Sequence, residues 1–200
     1  MPNWKIIIPA FFVILFLLRY YDFFFVYRPV QPFDTGMEPT LATFTLYNYL
    51  LKVIFYNFKF LTISVILSAG IFLEGSKNKT EQASLKDLFL LAVLSEFVFF
   101  AQDLLKIINF SFINSAYTYE DYKTFYPLSL YNLIGADPNS NFAYAFQTLN
   151  LFEAAYILCL ILGLRKLQYP DDMKAVSVTI SSYGGALFIW GLCMTFYSIL

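Results

Sequence analysis

Five runs of mostly apolar residues, each about as long as a bilayer is thick, are the feature that most narrows what this chain can fold into. A helix needs about 20 such residues to cross a hydrocarbon core of about 30 Å. Lipid offers backbone N–H and C=O groups no hydrogen-bond partner, so each crossing must bond itself, as a helix does. The runs cover approximately residues 6–27, 50–73, 87–110, 142–167 and 175–200. Composition points the same way. The 200 residues are 59% hydrophobic and 14% charged, against about a quarter charged in soluble domains. One soluble core of this size could not hide so much apolar surface. The expected fold is all-α: a polytopic membrane protein with five transmembrane helices in a single membrane domain, residues 1–200.

The first run begins close to Lys5 and resembles the start of a signal peptide. It is too long for one, and aromatic residues Tyr20 to Tyr27 stand where a small-residue cleavage site would lie. It reads as a retained helix with an aromatic belt at its far end. Residues 28–45 carry Pro29, Pro32, Gly36 and Pro39 and read as a loop. Residues 74–86 form a polar connection. Residues 111–141, dense in tyrosine, read as a segment lying on the membrane surface. Lys5, Lys77, Lys79, Lys86, Arg165, Lys166 and Lys174 gather on one side of this arrangement. The excess of basic residues in cytoplasmic loops therefore puts the N-terminus inside and the C-terminus outside.

Several chemistries are excluded by residue type. The sequence has no histidine, which removes bis-histidine haem, histidine-bound zinc or copper, and the serine protease triad. Cys159 and Cys193 sit in apolar runs and read as packing residues. There is no glycine-rich phosphate loop, no GxSxG and no HExxH. No catalytic residue, metal site or cofactor is expected, and a net charge of −1 leaves no footprint for nucleic acid. Asn78-Lys79-Thr80 and Asn109-Phe110-Ser111 match the glycosylation pattern by chance.

The informative residues are therefore the polar ones inside the apolar runs, because an ionisable group at mid-bilayer costs about 3 kcal/mol. In the third run Glu96 and Asp103 are seven residues apart and share a helix face, with Lys106 a turn beyond. In the fourth, Gln147, Asn150 and Glu153 step three residues at a time. Depth along antiparallel second and third helices, at 1.5 Å per residue, brings Lys59 level with Asp103 and predicts a contact between them. Two roles are open to these residues. They can be interhelical hydrogen-bond partners that fix helix register, or a proton or cation path through Glu96, Asp103 and Glu153. The last run opens with Ser181, Ser182, Gly184 and Gly185, small residues that suit close helix packing. Tyr183 and Trp190 read as ordinary aromatic packing residues.

From about Phe125 onward, FYPLSLYNLI, YAFQTLNLFEAAYILCLILGL and AVSVTISSYGGALFIWGL resemble the C-terminal part of Yip-domain membrane proteins. Asn150, Phe152 and Glu153 carry the best of that likeness. The resemblance implies five spans, a cytoplasmic N-terminus and an exposed C-terminus. Eukaryotic members look like partners of Rab GTPases and carry a cytoplasmic N-terminal segment. Only five residues precede the first run here, and a bacterial cytoplasmic-membrane protein is expected instead. The expected function is that of a non-enzymatic accessory or scaffold subunit, with the lipid bilayer and other membrane proteins as partners. The alternative is a small transporter or proton-coupled permease using the intramembrane carboxylates.

Overall fold

The computed structural model describes residues 4–27, 41–74, 83–137, 140, 142–167 and 172–197. Among them the chain is helical throughout, with one isolated antiparallel bridge between Ser129 and Asn150 and no strand. Helix α1 (Trp4–Tyr21) continues into a π-helical turn, Asp22–Tyr27, and α2 runs over Leu41–Leu73. Helix α3 (Leu85–Ile108) ends in a second π turn, Asn109–Ile113. Three short helices follow: α4 (Tyr119–Thr124), α5 (Leu130–Ile134) and α6 (Ala143–Thr148). Then come α7 (Leu151–Leu167), α8 (Asp172–Thr179), a third π turn at Ile180–Gly184, and α9 (Gly185–Tyr197).

Four helical stretches among the described residues are long and apolar enough to cross a membrane: Trp4–Tyr27, Tyr49–Leu73, Leu85–Ile113 and Met173–Phe196. The protein is thus an all-helical chain with the hallmarks of a multi-pass membrane protein. Large apolar side chains cover the outer faces of these helices, among them Val13, Leu17, Ile54, Phe55, Phe188 and Ile189. In water such faces would drive aggregation; in lipid they are solvated. Four hydroxyl groups inside the helices follow the same logic. Ser64, Thr179, Ser182 and Thr195 each donate to the carbonyl four residues back, so none carries an unmet donor into the apolar phase.

Two departures from the sequence reading concern element boundaries. Of the loop expected over 28–45, residues 28–40 lie outside the described residues, and 41–45 belong to α2, which begins at Leu41. The run 142–167 is not one helix but two, α6 and α7, parted at Leu149 and Asn150. The reason is local. The Asn150 side chain accepts from the Glu153 amide at 2.7 Å, which is the bonding of an N-cap. The neighbouring backbone pairs elsewhere: the Leu130 amide donates to Leu149 at 2.8 Å, and the Leu151 amide to Leu128 at 3.1 Å. Leu128 takes a left-handed φ of 56° to make this possible, a conformation costing a branched residue about 1–2 kcal/mol. The 17-residue α7 alone spans about 25 Å at 1.5 Å per residue.

The chain divides into two compact units. The first holds Met1–Lys59 and Phe100–Phe125, the second Phe60–Phe99 and Tyr126–Leu200. In the first, buried Phe11 stacks on Phe100 with ring centroids 5.0 Å apart and meets Tyr56 edge-on at 5.8 Å. Tyr49 donates to the Phe12 carbonyl at 3.1 Å, and Tyr117 to that of Val26 at 2.5 Å. In the second, α7 buries Phe152, Tyr156, Leu160 and Leu164, one residue per turn along a single face. Gly163 lets that face approach closely: a Cβ there would fall 2.0 Å from Leu91 Cδ1. Gly70 of α2 does the same for the π turn, since its Cβ would fall 2.7 Å from that of Ser182.

Candidate functional site

The polar residues within the apolar helices form two groups, one in each unit. The group in the first unit is built on the ends of α1 and α3 far from Trp4 and Leu85. Arg19 lies in the last turn of α1, and Asp22 opens the π turn that follows. Arg19 Nη2 stands 3.0 Å from Asp103 Oδ2, with side-chain exposures of 31% and 22%. Lys52, Lys106 and Asp22 lie near enough to act on Asp103 electrostatically, alongside Arg19. Tyr56 hydrogen-bonds Arg19. From α4, Tyr122 donates to Asp22 Oδ2 at 2.6 Å, and Lys106 Nζ sits 3.9 Å above the Tyr122 ring. Burial, and then the Asp22 carboxylate, push the Tyr122 hydroxyl far above its ordinary value. It therefore stays protonated and able to donate.

This arrangement corrects the expected partner of Asp103. The cation against it is Arg19 of α1, and the α2 lysine that reaches its field is Lys52. Lys59, seven residues further along α2 and so about 10 Å away, lies 5.8 Å from the Tyr56 ring centroid. The depth estimate assumed that α2 and α3 meet at a flush hairpin. Instead α2 overshoots the start of α3. Phe60 faces Phe89 at 5.9 Å, and Phe72 and Leu73 at the end of α2 are 77% and 82% exposed. Two turns of overshoot replace Lys59 by Lys52.

The group in the second unit gathers around α7. Glu96 of α3 is 2% exposed, beside buried Ser95. Glu153 stands in the first turn of α7, where the helix dipole favours a carboxylate. Its Oε1 accepts from the Tyr183 hydroxyl at 2.7 Å. Tyr156 is fully buried, with its ring 5.3 Å from that of Tyr183 and 5.5 Å from that of Phe99. Both carboxyl groups, Glu96 and Glu153, act electrostatically on both tyrosines. The site thus sets two acids and two phenols together, next to a helix break and a π turn. Gln147 sits in α6, and its carbonyl accepts from Asn150 Nδ2 at 3.1 Å. Gln147 and Asn150 therefore shape the break, while the Glu153 side chain reaches beyond it to Tyr183. Trp190, like Tyr183, does more than pack: its Nε1 donates to the Tyr144 hydroxyl at 2.7 Å.

Of the small residues singled out in the last run, Ser182 makes the close approach to Gly70 and Ser181 is exposed. A Cβ on Gly184 would meet only its own helix, and one on Gly185 nothing within 4 Å. Cys159 is half-buried and Cys193 exposed. The described residues contain no group of three or more Cys, Asp or Glu able to hold a metal ion.

Sequence reasoning passed over Arg19 and Asp22 as site residues, although a charge at position 19 inside an apolar run was the signal. Tyr122 and Tyr183 carried no such signal, because tyrosines are everywhere in this chain. Searches with the whole chain return no matching family model, no matching curated protein and no matching solved structure, so these two groups must be read on their own chemistry.

Proposed function

We propose that the chain is a non-enzymatic accessory or scaffold subunit of a larger assembly in a bacterial cytoplasmic membrane. One observation carries this reading: the polar groups of the apolar helices engage one another across helices. Asp103 meets Arg19, Asp22 meets Tyr122, and Glu153 meets Tyr183. Such pairs hold the helices of each unit in register. In this reading α6 and α7 together make a fifth, broken crossing. The basic residues Lys5, Lys86, Arg165, Lys166 and Lys174 then share the inner side, with the N-terminus inside and the C-terminus outside. The likeness of residues 125–200 to Yip-domain proteins supports the same span count and orientation. Gentle-detergent purification of the tagged chain, followed by mass spectrometry, tests the assembly. Stoichiometric membrane-protein partners support it, and a solitary monomer after mild crosslinking refutes it.

A second reading, a proton- or cation-coupled permease, is favoured by one specific arrangement. Glu96 and Glu153 converge on Tyr156 and Tyr183 beside a broken helix, and discontinuous helices with intramembrane acids are what transport sites use. Proteoliposomes carrying the wild-type chain would then pass protons or monovalent cations, and Glu96→Gln or Glu153→Gln would abolish the flux. Flux indistinguishable from empty vesicles removes this reading.

A further inference from the structure

We infer that α5 and the turn before it are a re-entrant element: residues 128–134 dip into the acyl layer of the leaflet opposite Arg165 and Lys166, where Leu133 and Ile134 pack against lipid tails. This rests on the reading of α6 and α7 as one broken crossing, and on the level at which α5 is tied to it. The tie is made by backbone. The Leu130 amide donates to the Leu149 carbonyl at 2.8 Å, and the Leu151 amide to the Leu128 carbonyl at 3.1 Å. Leu151 lies fourteen residues along α7 from Arg165, in the basic last turn, and so about 21 Å from it. In a hydrocarbon core about 30 Å thick, about 9 Å of apolar layer is left beyond the tie, and any tilt of α7 leaves more.

A second count agrees. Trp190 lies sixteen residues from Lys174 along the last crossing, about 24 Å at the helical rise. Its Nε1 donates to the Tyr144 hydroxyl of α6, and tryptophan and tyrosine gather where hydrocarbon meets headgroups. Tyr144 precedes Leu149 by five residues, so the tie lies deeper than this aromatic pair.

The side chains suit that depth. No charged residue stands between Lys123 and Asp137. Leu133 and Ile134 are 76% and 55% exposed, and Leu128, Leu149 and Leu151 at the tie are exposed as well. Helix α4 has the opposite pattern, exposing Glu120, Asp121 and Lys123. The polar groups of the element turn inward. Ser129 is wholly buried and donates to the Tyr126 carbonyl at 2.7 Å, and Asn132 Oδ1 accepts from the Tyr126 amide at 2.8 Å. Irregular backbone is tolerated at membrane depth only where its groups are met within the protein. The irregular stretches before α5 and before α7 meet this demand by pairing with each other. Residues 111–141 read from sequence as a segment on the membrane surface; residues 128–134 lie below it.

The test is electron paramagnetic resonance on the full chain in vesicles of phosphatidylethanolamine and phosphatidylglycerol. In a Cys159→Ala, Cys193→Ala background, one nitroxide at a time is attached through Leu133→Cys, Ile134→Cys or Leu158→Cys, all exposed positions whose labelling leaves the core intact. Oxygen concentrates among acyl chains and a nickel chelate stays in water, so the ratio of oxygen to chelate collisions should exceed one at all three. Leu158, midway along α7, checks the crossing itself. A ratio above one at Leu158 but below one at Leu133 or Ile134 overturns the re-entrant element and leaves the crossing standing. A ratio below one at Leu158 overturns both. Labels at Leu133 and Ile134 shielded from oxygen and chelate alike would show a protein partner covering them, which overturns lipid as the occupant.

Discussion

Removing Asp103 should damage the first unit more than removing Arg19, although the two are partners in one ion pair. At 3.0 Å and an effective dielectric constant of 20, their attraction is about 5 kcal/mol before desolvation. Desolvation offsets much of that, so the surviving coupling should be about 1–3 kcal/mol. The asymmetry comes from the neighbours. Asp103→Asn leaves three cations, Arg19, Lys52 and Lys106, facing Asp22 alone. Arg19→Gln leaves two cations facing two carboxylates, a balanced group. The expected losses are about 3–4 kcal/mol for Asp103→Asn, at the low end of the range for breaking a buried pair because both side chains are partly exposed, and about 2 kcal/mol for Arg19→Gln, below that range because the remaining group is balanced. The double variant should lose less than the sum of the two.

Reversible unfolding of the purified chain in mixed micelles of mild detergent and dodecyl sulfate measures all four corners of the cycle. A parallel cycle on Lys59 and Asp103 serves as the comparison, and its coupling should fall below that of Arg19 and Asp103. If Arg19→Gln is the more damaging change, or if the coupling is under about 0.5 kcal/mol, the charge balance described here is not what holds α1 to α3.

Asn150→Ala should cost about 1 kcal/mol by removing the N-cap of α7, and hydrogen exchange should quicken at the amides of Phe152 and Glu153 before those deeper in the helix. Gly70→Ala should destabilise by about 1–3 kcal/mol, because the new Cβ meets that of Ser182 at 2.7 Å; pairing it with Ser182→Gly should recover most of the loss, and failure to do so would place the clash elsewhere. Tyr183→Phe should lower stability by about 0.6–1.7 kcal/mol, the range for an interhelical hydrogen bond in lipid, and should cost nothing further once Glu153→Gln is in place if the two act as one unit. Hydrogen bonds from the Thr118 backbone amide and hydroxyl hold the Asp121 carboxyl below the ordinary aspartate value. The folded value is the lower one, so the capping contribution is fully present above the unfolded value and is lost as pH falls through the folded one. Carbon-detected NMR titration of Asp121 should show this depression, and Thr118→Ala, which removes the hydroxyl but keeps the backbone amide, should reduce it without abolishing it.

The helical layers were legible because lipid makes one demand of every crossing: a long apolar run. The runs 6–27 and 87–110 reappear as α1 and α3, each continued by its π turn, with boundaries moved by two or three residues, and the run 50–73 reappears within α2, which begins nine residues earlier at Leu41. The fourth run was misread as continuous because hydropathy does not see a backbone break. Leu149 is apolar and Asn150 is only one polar residue among three, yet the bridge to Ser129 and the N-cap decide the geometry. That bridge joins residues 21 positions apart, which no local pattern reveals. The partner of Asp103 was missed for a related reason. Depth along two helices can be counted from sequence only if their hairpin is flush, and α1, which supplies Arg19, does not enter such a count.

The π turns explain why face arguments fail where the chemistry is. A π turn holds one residue more than the α-helical turn it replaces, so positions before and after it no longer share the faces that a 3.6-residue period assigns. Residues 175–197 read as one helix place Val178, Ser182 and Gly185 on one stripe, with Tyr183 beside it. Val178 and Ser182 stay on that stripe where the π turn at Ile180–Gly184 sets in, since a Cβ on Gly70 would meet both. Ser182 keeps its approach to Gly70, while Tyr183 is turned inward and buried, with its hydroxyl on Glu153. At the end of α1, Asp22 opens the π turn and meets Tyr122, while Arg19, three residues earlier and so on the same helix face, meets Asp103. In both units, then, a polar contact between helices sits at an irregular turn, Asp22 with Tyr122 in the first and Tyr183 with Glu153 in the second. A helix in lipid gains nothing from irregularity in its own hydrogen bonding, since each widened turn strains bonds that the apolar phase makes valuable. The polar contacts that these turns permit are the compensation, and they mark Asp22 and Tyr183 as the positions where this fold gives up regularity for contact between helices.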